Sequence, residues 1–113
     1  MDTLIRKIEL PKITDPRGSL SFLESNNHVP FSIKSTYIMT NISLVAQVNE
    51  LIVNEAQEFL VVVSGFLDIR IKSREVEELF ILNKPNEGLY IPANVEKCFM
   101  NISPKIILLV LRG

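Results

Sequence analysis

The chain has 113 residues, of which 47% are hydrophobic and 22% charged, with a formal net charge of −1. Such a length carries one domain, 1–113, around a single core, and such a balance excludes intrinsic disorder. Lysine and arginine are spread from Arg6 to Arg112 rather than massed, so nucleic acid is a poor partner, and no apolar run approaches the roughly 20 residues of a membrane helix.

In chain order, Met1-Asp2-Thr3-Leu4 lacks a basic segment followed by an apolar one, so no signal peptide is expected. Leu4 to Leu10 and Ser19 to Leu23 are strand candidates, separated by Pro11 and by Asp15-Pro16-Arg17-Gly18. Ile33 to Asn41, rich in Ile, Thr and Tyr, is another. Val48 to Phe59 is ambiguous, because Val48, Leu51, Ile52, Ala56 and Phe59 also fit a helical spacing; length and β-rich surroundings favour a strand. Phe59 to Val63 is a continuous β-branched and aromatic run, Ser64-Gly65 a tight turn, and Phe66 to Lys72 a strand. There Leu67, Ile69 and Ile71 alternate with Asp68, Arg70 and Lys72, the mark of a half-buried hairpin partner. A turn at Ser73-Arg74-Glu75 leads into Val76 to Leu82. Asn83 to Gly88 reads as a loop, Leu89 to Ile91 as a short strand closed by Pro92, and Lys105 to Leu111 as a buried strand. Eight or more short strands without a convincing helix point to an all-β sandwich or barrel.

The chemistry-bearing residues are few. Gly18, Gly65, Gly88 and Gly113 are far apart, so neither a dinucleotide fingerprint nor a P-loop can be written. His28 and Cys98 are the entire supply of their types, which argues against a His/Cys metal site; no metal or cofactor is expected. Glu50, Glu55 and Glu58 are the material for an all-carboxylate site, but solvated strand edges are their ordinary home. His28, in Ser25-Asn26-Asn27-His28-Val29-Pro30, reads as a solvated loop histidine, and Cys98 as a small buried apolar residue. A lone cysteine fits a reducing cytoplasm. Asn41-Ile42-Ser43 and Asn101-Ile102-Ser103 read as accidental glycosylation triplets. Lys97 is an exposed strand lysine on the bland reading. On the sharper one it is a lysine partly desolvated in a barrel mouth, with a lowered pKa.

Asp15-Pro16-Arg17-Gly18-Ser19-Leu20, Val29-Pro30-Phe31-Ser32-Ile33-Lys34, Tyr37, Val61-Val62-Val63-Ser64-Gly65 and Gly88-Leu89-Tyr90-Ile91-Pro92 together resemble the sugar 3,4-ketoisomerase cupins. These are the WxcM-like enzymes acting on dTDP-4-keto-6-deoxyhexoses. The resemblance implies a double-stranded β-helix (cupin, or jelly-roll, barrel), a homodimer and a dTDP-sugar bound in the barrel. It assigns ligand contacts to Arg17, Gly18 and Tyr37.

The departures weigh as much as the matches. A family His-x-His pair falls on Leu51 and Val53, two aliphatic residues expected on one cavity-facing side of a strand. A Trp-His pair falls on Glu96 and Lys97, and the chain stops at Gly113 where family members usually run on through an acidic tail. Moving a keto group between adjacent carbons needs a positioned base, and Tyr37, Lys97 and Glu50 are the substitutes on offer. The leading expectation is a cytoplasmic nucleotide-sugar-binding cupin with lost or weakened isomerase activity. Its alternatives are an active isomerase with a replaced base, and a structural or regulatory partner subunit without ligand. An open mouth faced by Arg17 and Tyr37 favours binding; an interior filled by Leu51, Val53 and Phe99 favours the structural role.

Overall fold

A computed structural model of the chain describes residues 5–42, 52–53, 55–73 and 76–113. Within them every regular element is a strand: β1 (Arg6–Glu9), β2 (Lys12–Asp15), β3 (Gly18–Ser21), β4 (Ser35–Thr40), β5 (Ile52–Val53), β6 (Glu58–Ser64), β7 (Leu67–Ser73), β8 (Val76–Leu82), β9 (Glu87–Ile91), β10 (Glu96–Met100) and β11 (Ile107–Arg112). A five-stranded sheet runs β1-β9-β6-β11-β4, a four-stranded sheet runs β5-β10-β7-β8, and β2-β3 form a separate hairpin. All pairings between these strands are antiparallel.

The two larger sheets close on one another around the main core. Leu60, Val62, Leu89, Leu108 and Val110 come from the first sheet; Leu67, Ile69, Ile71, Leu82 and Phe99 come from the second. The alternation of β7 decides its orientation, since Leu67, Ile69 and Ile71 are buried while Arg70 and Lys72 are exposed. Strand β6 reads as an unbroken apolar run for a different reason. Its other face, with Phe59 and Val61, is covered by Leu10, Val29 and Phe31 from the N-terminal segment, forming a second core with Tyr90 and Leu111. A strand covered on both sides has no use for polar alternation.

Two glycines set local geometry. Gly65 has φ +96°, a left-handed conformation that costs an L-residue, and a side chain there would meet Ser103 Oγ at 2.2 Å. The Ser103 hydroxyl accepts from Phe66 N–H at 2.9 Å, and Ser103 N–H donates to Phe66 O at 3.0 Å, tying the β6–β7 turn to the loop before β11. Gly88 clears the way for Phe59, whose ring would lie 2.1 Å from any Cβ at that position.

Several sequence expectations shift. The 48–59 stretch is not one strand: β5 and β6 are separated by a non-strand segment that includes residues 55–57, while residues 48–51 lie outside the described residues. Glu87 and Gly88 belong to β9 rather than to a loop, and the Lys105–Leu111 strand runs Ile107–Arg112. Leu4 and the Arg74-Glu75 part of the predicted turn lie outside the described residues. Strands β2 and β10 have no counterpart among the predicted elements. Three charged or polar residues in four hid β2's character, and the polar start Glu96-Lys97 hid β10's.

Candidate functional site

Four side chains meet inside one end of the barrel. Glu58 shares a face of β6 with the core residues Leu60 and Val62, and Lys97 shares a face of β10 with Phe99. Tyr37 shares a face of β4 with Met39, and Arg112 shares one of β11 with Val110. Glu58 and Arg112 are direct cross-strand partners, so the register itself sets the carboxylate beside the guanidinium. The β10 register sets Lys97 opposite Ile71 on the inner side of the other sheet.

Glu58 is the hub. Lys97 Nζ donates to its Oε1. Arg112 Nε donates to Oε2 at 2.9 Å, and the Tyr37 hydroxyl approaches the same oxygen at 3.4 Å. The Glu58 and Lys97 side chains are only 2% and 4% exposed, whereas that of Arg112 is 37% exposed. Arg112 also stacks over the Tyr37 ring at 5.0 Å, a cation–π contact that closes the outer side of the cluster. With Glu58 ionised and both cations charged, the cluster carries a net positive charge.

Burial acts on these groups in opposite directions. It pulls the Lys97 ammonium below the ordinary lysine value, with Glu58 acting against that pull. Burial, assisted by the Glu58 charge, pushes the Tyr37 phenol above its ordinary value. The hydrogen bond to Glu58 raises Arg112 further into its always-charged range.

Two sequence expectations are overturned here. Glu58 is not at a solvated strand edge, and Lys97 is not an exposed strand lysine; both belong to the barrel interior. The sharper reading of Lys97, a desolvated lysine held lower than usual, is the one the geometry carries. Arg112, a member no motif singled out, completes the cluster. Its only sequence signal is a charge ending a strictly apolar strand.

Other candidates lie elsewhere. Arg17 and Gly18 occupy the tip of the β2–β3 hairpin, where the Arg17 side chain is 91% exposed and pairs with Asp15 at 2.9 Å. Val53 lies opposite Glu96, on the side of β10 that alternates away from Lys97, and is 53% exposed; its side chain does not fill the cavity as expected. Leu51 and Glu50 lie outside the described residues. Phe99 is buried in the main core. His28 sits half-buried in its loop, with Nδ1 accepting from Glu24 N–H at 3.1 Å and its ring edge-on to Phe22. Cys98 is buried, as expected of a small apolar residue. Among the described residues no three His, Cys, Asp or Glu side chains are grouped to hold a metal ion, and no helix is long and apolar enough to cross a membrane. A groove of about 320 Å³ lies on the outer face of the five-stranded sheet, lined by Leu10, Phe22, Leu23, Val61, Val63 and Leu109 among others.

Comparison with known proteins places this architecture. The family model described as FdtA: WxcM-like, C-terminal, matches residues 3–112. A histidine-to-asparagine variant of the 3,4-ketoisomerase QdtA from Thermoanaerobacterium thermosaccharolyticum, in complex with TDP-4-keto-6-deoxyglucose, superposes with a TM-score of 0.86 at 28% identity, covering 99% of this chain and 81% of that one. The TDP-quinovose 3,4-ketoisomerase WlaRB from Campylobacter jejuni gives 0.83 at 33% identity, covering 96% and 83%. A 3,4-ketoisomerase from Helicobacter canadensis gives 0.86 at 29%, covering 96% and 81%. No curated protein sequence matches significantly. The chain, an all-β cupin-like fold, belongs to the WxcM-like, C-terminal family that the FdtA model describes.

Proposed function

We propose that this protein is a cytoplasmic, dTDP-sugar-binding cupin in which ketoisomerase activity is lost or strongly weakened. The observation that carries this reading is the Glu58–Lys97–Arg112–Tyr37 cluster, in a barrel whose relatives are 3,4-ketoisomerases. Carbonyl transposition needs a group that takes a proton from one carbon and returns it to the next, with a pKa near the operating pH. Glu58 accepts from Lys97 at one carboxylate oxygen and from Arg112 at the other, so while Arg112 stays in place neither oxygen is open to a ligand. Tyr37 is pushed the wrong way for a base. The only histidine of the chain stands in the 24–33 loop, hydrogen-bonded to Glu24 rather than to the cluster.

Binding is separable from that loss. The QdtA variant that lacks one histidine still forms a complex with its keto-sugar nucleotide, so at least that imidazole is dispensable for holding the ligand there. In the proposed binding mode the exposed guanidinium of Arg17, beside Gly18, supplies charge for the pyrophosphate, and Tyr37 with Arg112 lines the mouth. The protein works as a homodimer. The β2–β3 hairpin leaves Ile13 and Leu20, directly opposed across the two strands, 57% and 60% exposed. A lone two-stranded ribbon is marginal in water, and the outer groove offers apolar surface of the kind that pairing covers.

Calorimetric titration with dTDP tests the reading. Measurable affinity is expected, and Arg17→Ala weakens it by about 1.5–3 kcal/mol, the worth of a hydrogen bond to a charged group. Absence of binding at millimolar dTDP instead favours a structural partner subunit, the reading supported by Phe99 and its neighbours filling the interior. Robust ketoisomerisation by the unmodified chain favours a replaced base, with Lys97 as the first candidate.

A further inference from the structure

The Lys97–Glu58 pair is hard to explain as a stabilising device. Two charges taken out of water recover in mutual attraction about what they lose in hydration, and an apolar pair of similar volume does as well or better. The β6 and β10 strands are otherwise apolar on their inner faces, so a Leu–Met pair at these positions extends the core without interruption. What the charged pair adds is chemistry: a primary amine, held below the ordinary lysine range, with a carboxylate within proton-transfer reach.

We propose that Lys97 forms a covalent imine with the carbonyl carbon of a keto-sugar nucleotide, with Glu58 as its proton carrier. The inference rests on the binding reading above and specifies what the site does with the ligand. The ligand reaches the pair from its outer side, by drawing the half-exposed Arg112 guanidinium off Glu58.

Each step balances within the pair, the ketone and water. The Lys97 ammonium gives a proton to Glu58, and the freed nitrogen lone pair adds to the carbonyl carbon. The carbonyl π pair moves to oxygen, which takes a proton from the nitrogen to give a carbinolamine. Glu58 returns its proton to that hydroxyl, water leaves, and the nitrogen lone pair closes the C=N bond of an iminium. The carboxylate then takes a proton from the neighbouring carbon. The C–H electron pair forms a C=C bond, the C=N π pair returns to nitrogen, and an enamine results. Reversal, with a proton that Glu58 has exchanged with solvent, restores the iminium, and water releases ketone and free amine. No oxidant, metal or further reactant is needed.

This chemistry also predicts that the carbonyl does not move. The enamine carries nitrogen on the former carbonyl carbon. Protonation at that carbon leaves the sugar bound to Lys97 as a secondary amine, which water does not cleave. The released outcome is therefore proton exchange, or epimerisation, at the carbons flanking the ketone, with the carbonyl unmoved.

The test is reductive trapping of the full chain with dTDP-4-keto-6-deoxyglucose and borohydride, beside calorimetric titration with dTDP. The expected result is one added ligand by intact mass, mapped by peptide fragmentation to Lys97, and absent from Lys97→Arg. Glu58→Gln slows both the build-up of the trapped adduct and deuterium uptake from heavy water into the sugar, each at least tenfold. Mapping in the unmodified chain keeps the test decisive even where a variant fails to fold. dTDP binding without an adduct, or an adduct on another lysine, overturns the imine and leaves the binding reading standing. No dTDP binding at all overturns both.

Discussion

Removing the Glu58 carboxylate takes from Lys97 and Arg112 the buried acceptor that both are bonded to. Breaking a buried pair from one side costs about 3–5 kcal/mol, and Glu58→Gln is expected to lose that much by urea unfolding. Lys97→Met costs less, because Glu58 keeps Arg112. Glu58→Leu combined with Lys97→Met recovers most of the loss, since two apolar side chains satisfy the interior on their own terms. A Glu58→Gln cost no greater than that of a surface substitution, about 0.5 kcal/mol, contradicts the buried cluster. The cluster also leaves a pH signature. Lys97 has a lower pKa folded than unfolded, so between those two values the unfolded chain binds more of the proton. Stability relative to Lys97→Met therefore rises with pH through the alkaline range up to the ordinary lysine value. Tyr37 acts in the opposite sense: its contribution is fully present below the ordinary phenol value and is lost as pH climbs through its raised folded value. Comparing unfolding curves of the parent, Lys97→Met and Tyr37→Phe across that range separates the two slopes.

At the scale of elements, what was legible in the sequence is what short-range periodicity records. The alternation in β7 and the Ser64-Gly65 turn place the central hairpin from residue types alone, because one face of β7 is wet and the other dry. Strand β6 was legible as a strand, but its double coverage was not, since the residues that cover Phe59 and Val61 lie about thirty to fifty positions upstream. The site was less legible still. Glu58 and Lys97 are 39 residues apart on strands of different sheets, and charged residues on strands ordinarily mark the wet face. Only sheet closure turns both inward. Where the family resemblance located Tyr37 it pointed into this cluster; where it set Val53 toward the cavity, the β5–β10 register turned that side chain outward. The close approach of β9 to β6 provides a direct check on this packing. Gly88→Ala drives a methyl into the Phe59 ring and is expected to cost about 1–3 kcal/mol, as overpacking of a filled core does. Phe59→Leu in the same chain recovers part of it, and an additive double variant contradicts the contact.

The whole molecule is flattened, 45 × 35 × 23 Å, with a radius of gyration of 14.0 Å against about 13 Å for a compact chain of this length. The excess fits a hairpin that stands away from the barrel. If that hairpin is covered by a second copy, light scattering reports twice the chain mass at tens of micromolar. Leu20→Glu then shifts the protein to monomer while the β-sheet circular dichroism is unchanged; a monomeric parent contradicts the homodimer. The central claim, that this barrel holds a dTDP-sugar but does not move its carbonyl, is tested most directly by one spectrum. In saturation-transfer proton NMR of dTDP-4-keto-6-deoxyglucose with the protein, irradiation of protein resonances is predicted to attenuate the nucleotide and sugar signals, with no 3-keto product accumulating over hours. Ligand signals that stay unattenuated at millimolar concentration, or the steady appearance of the 3-keto sugar, contradict the account.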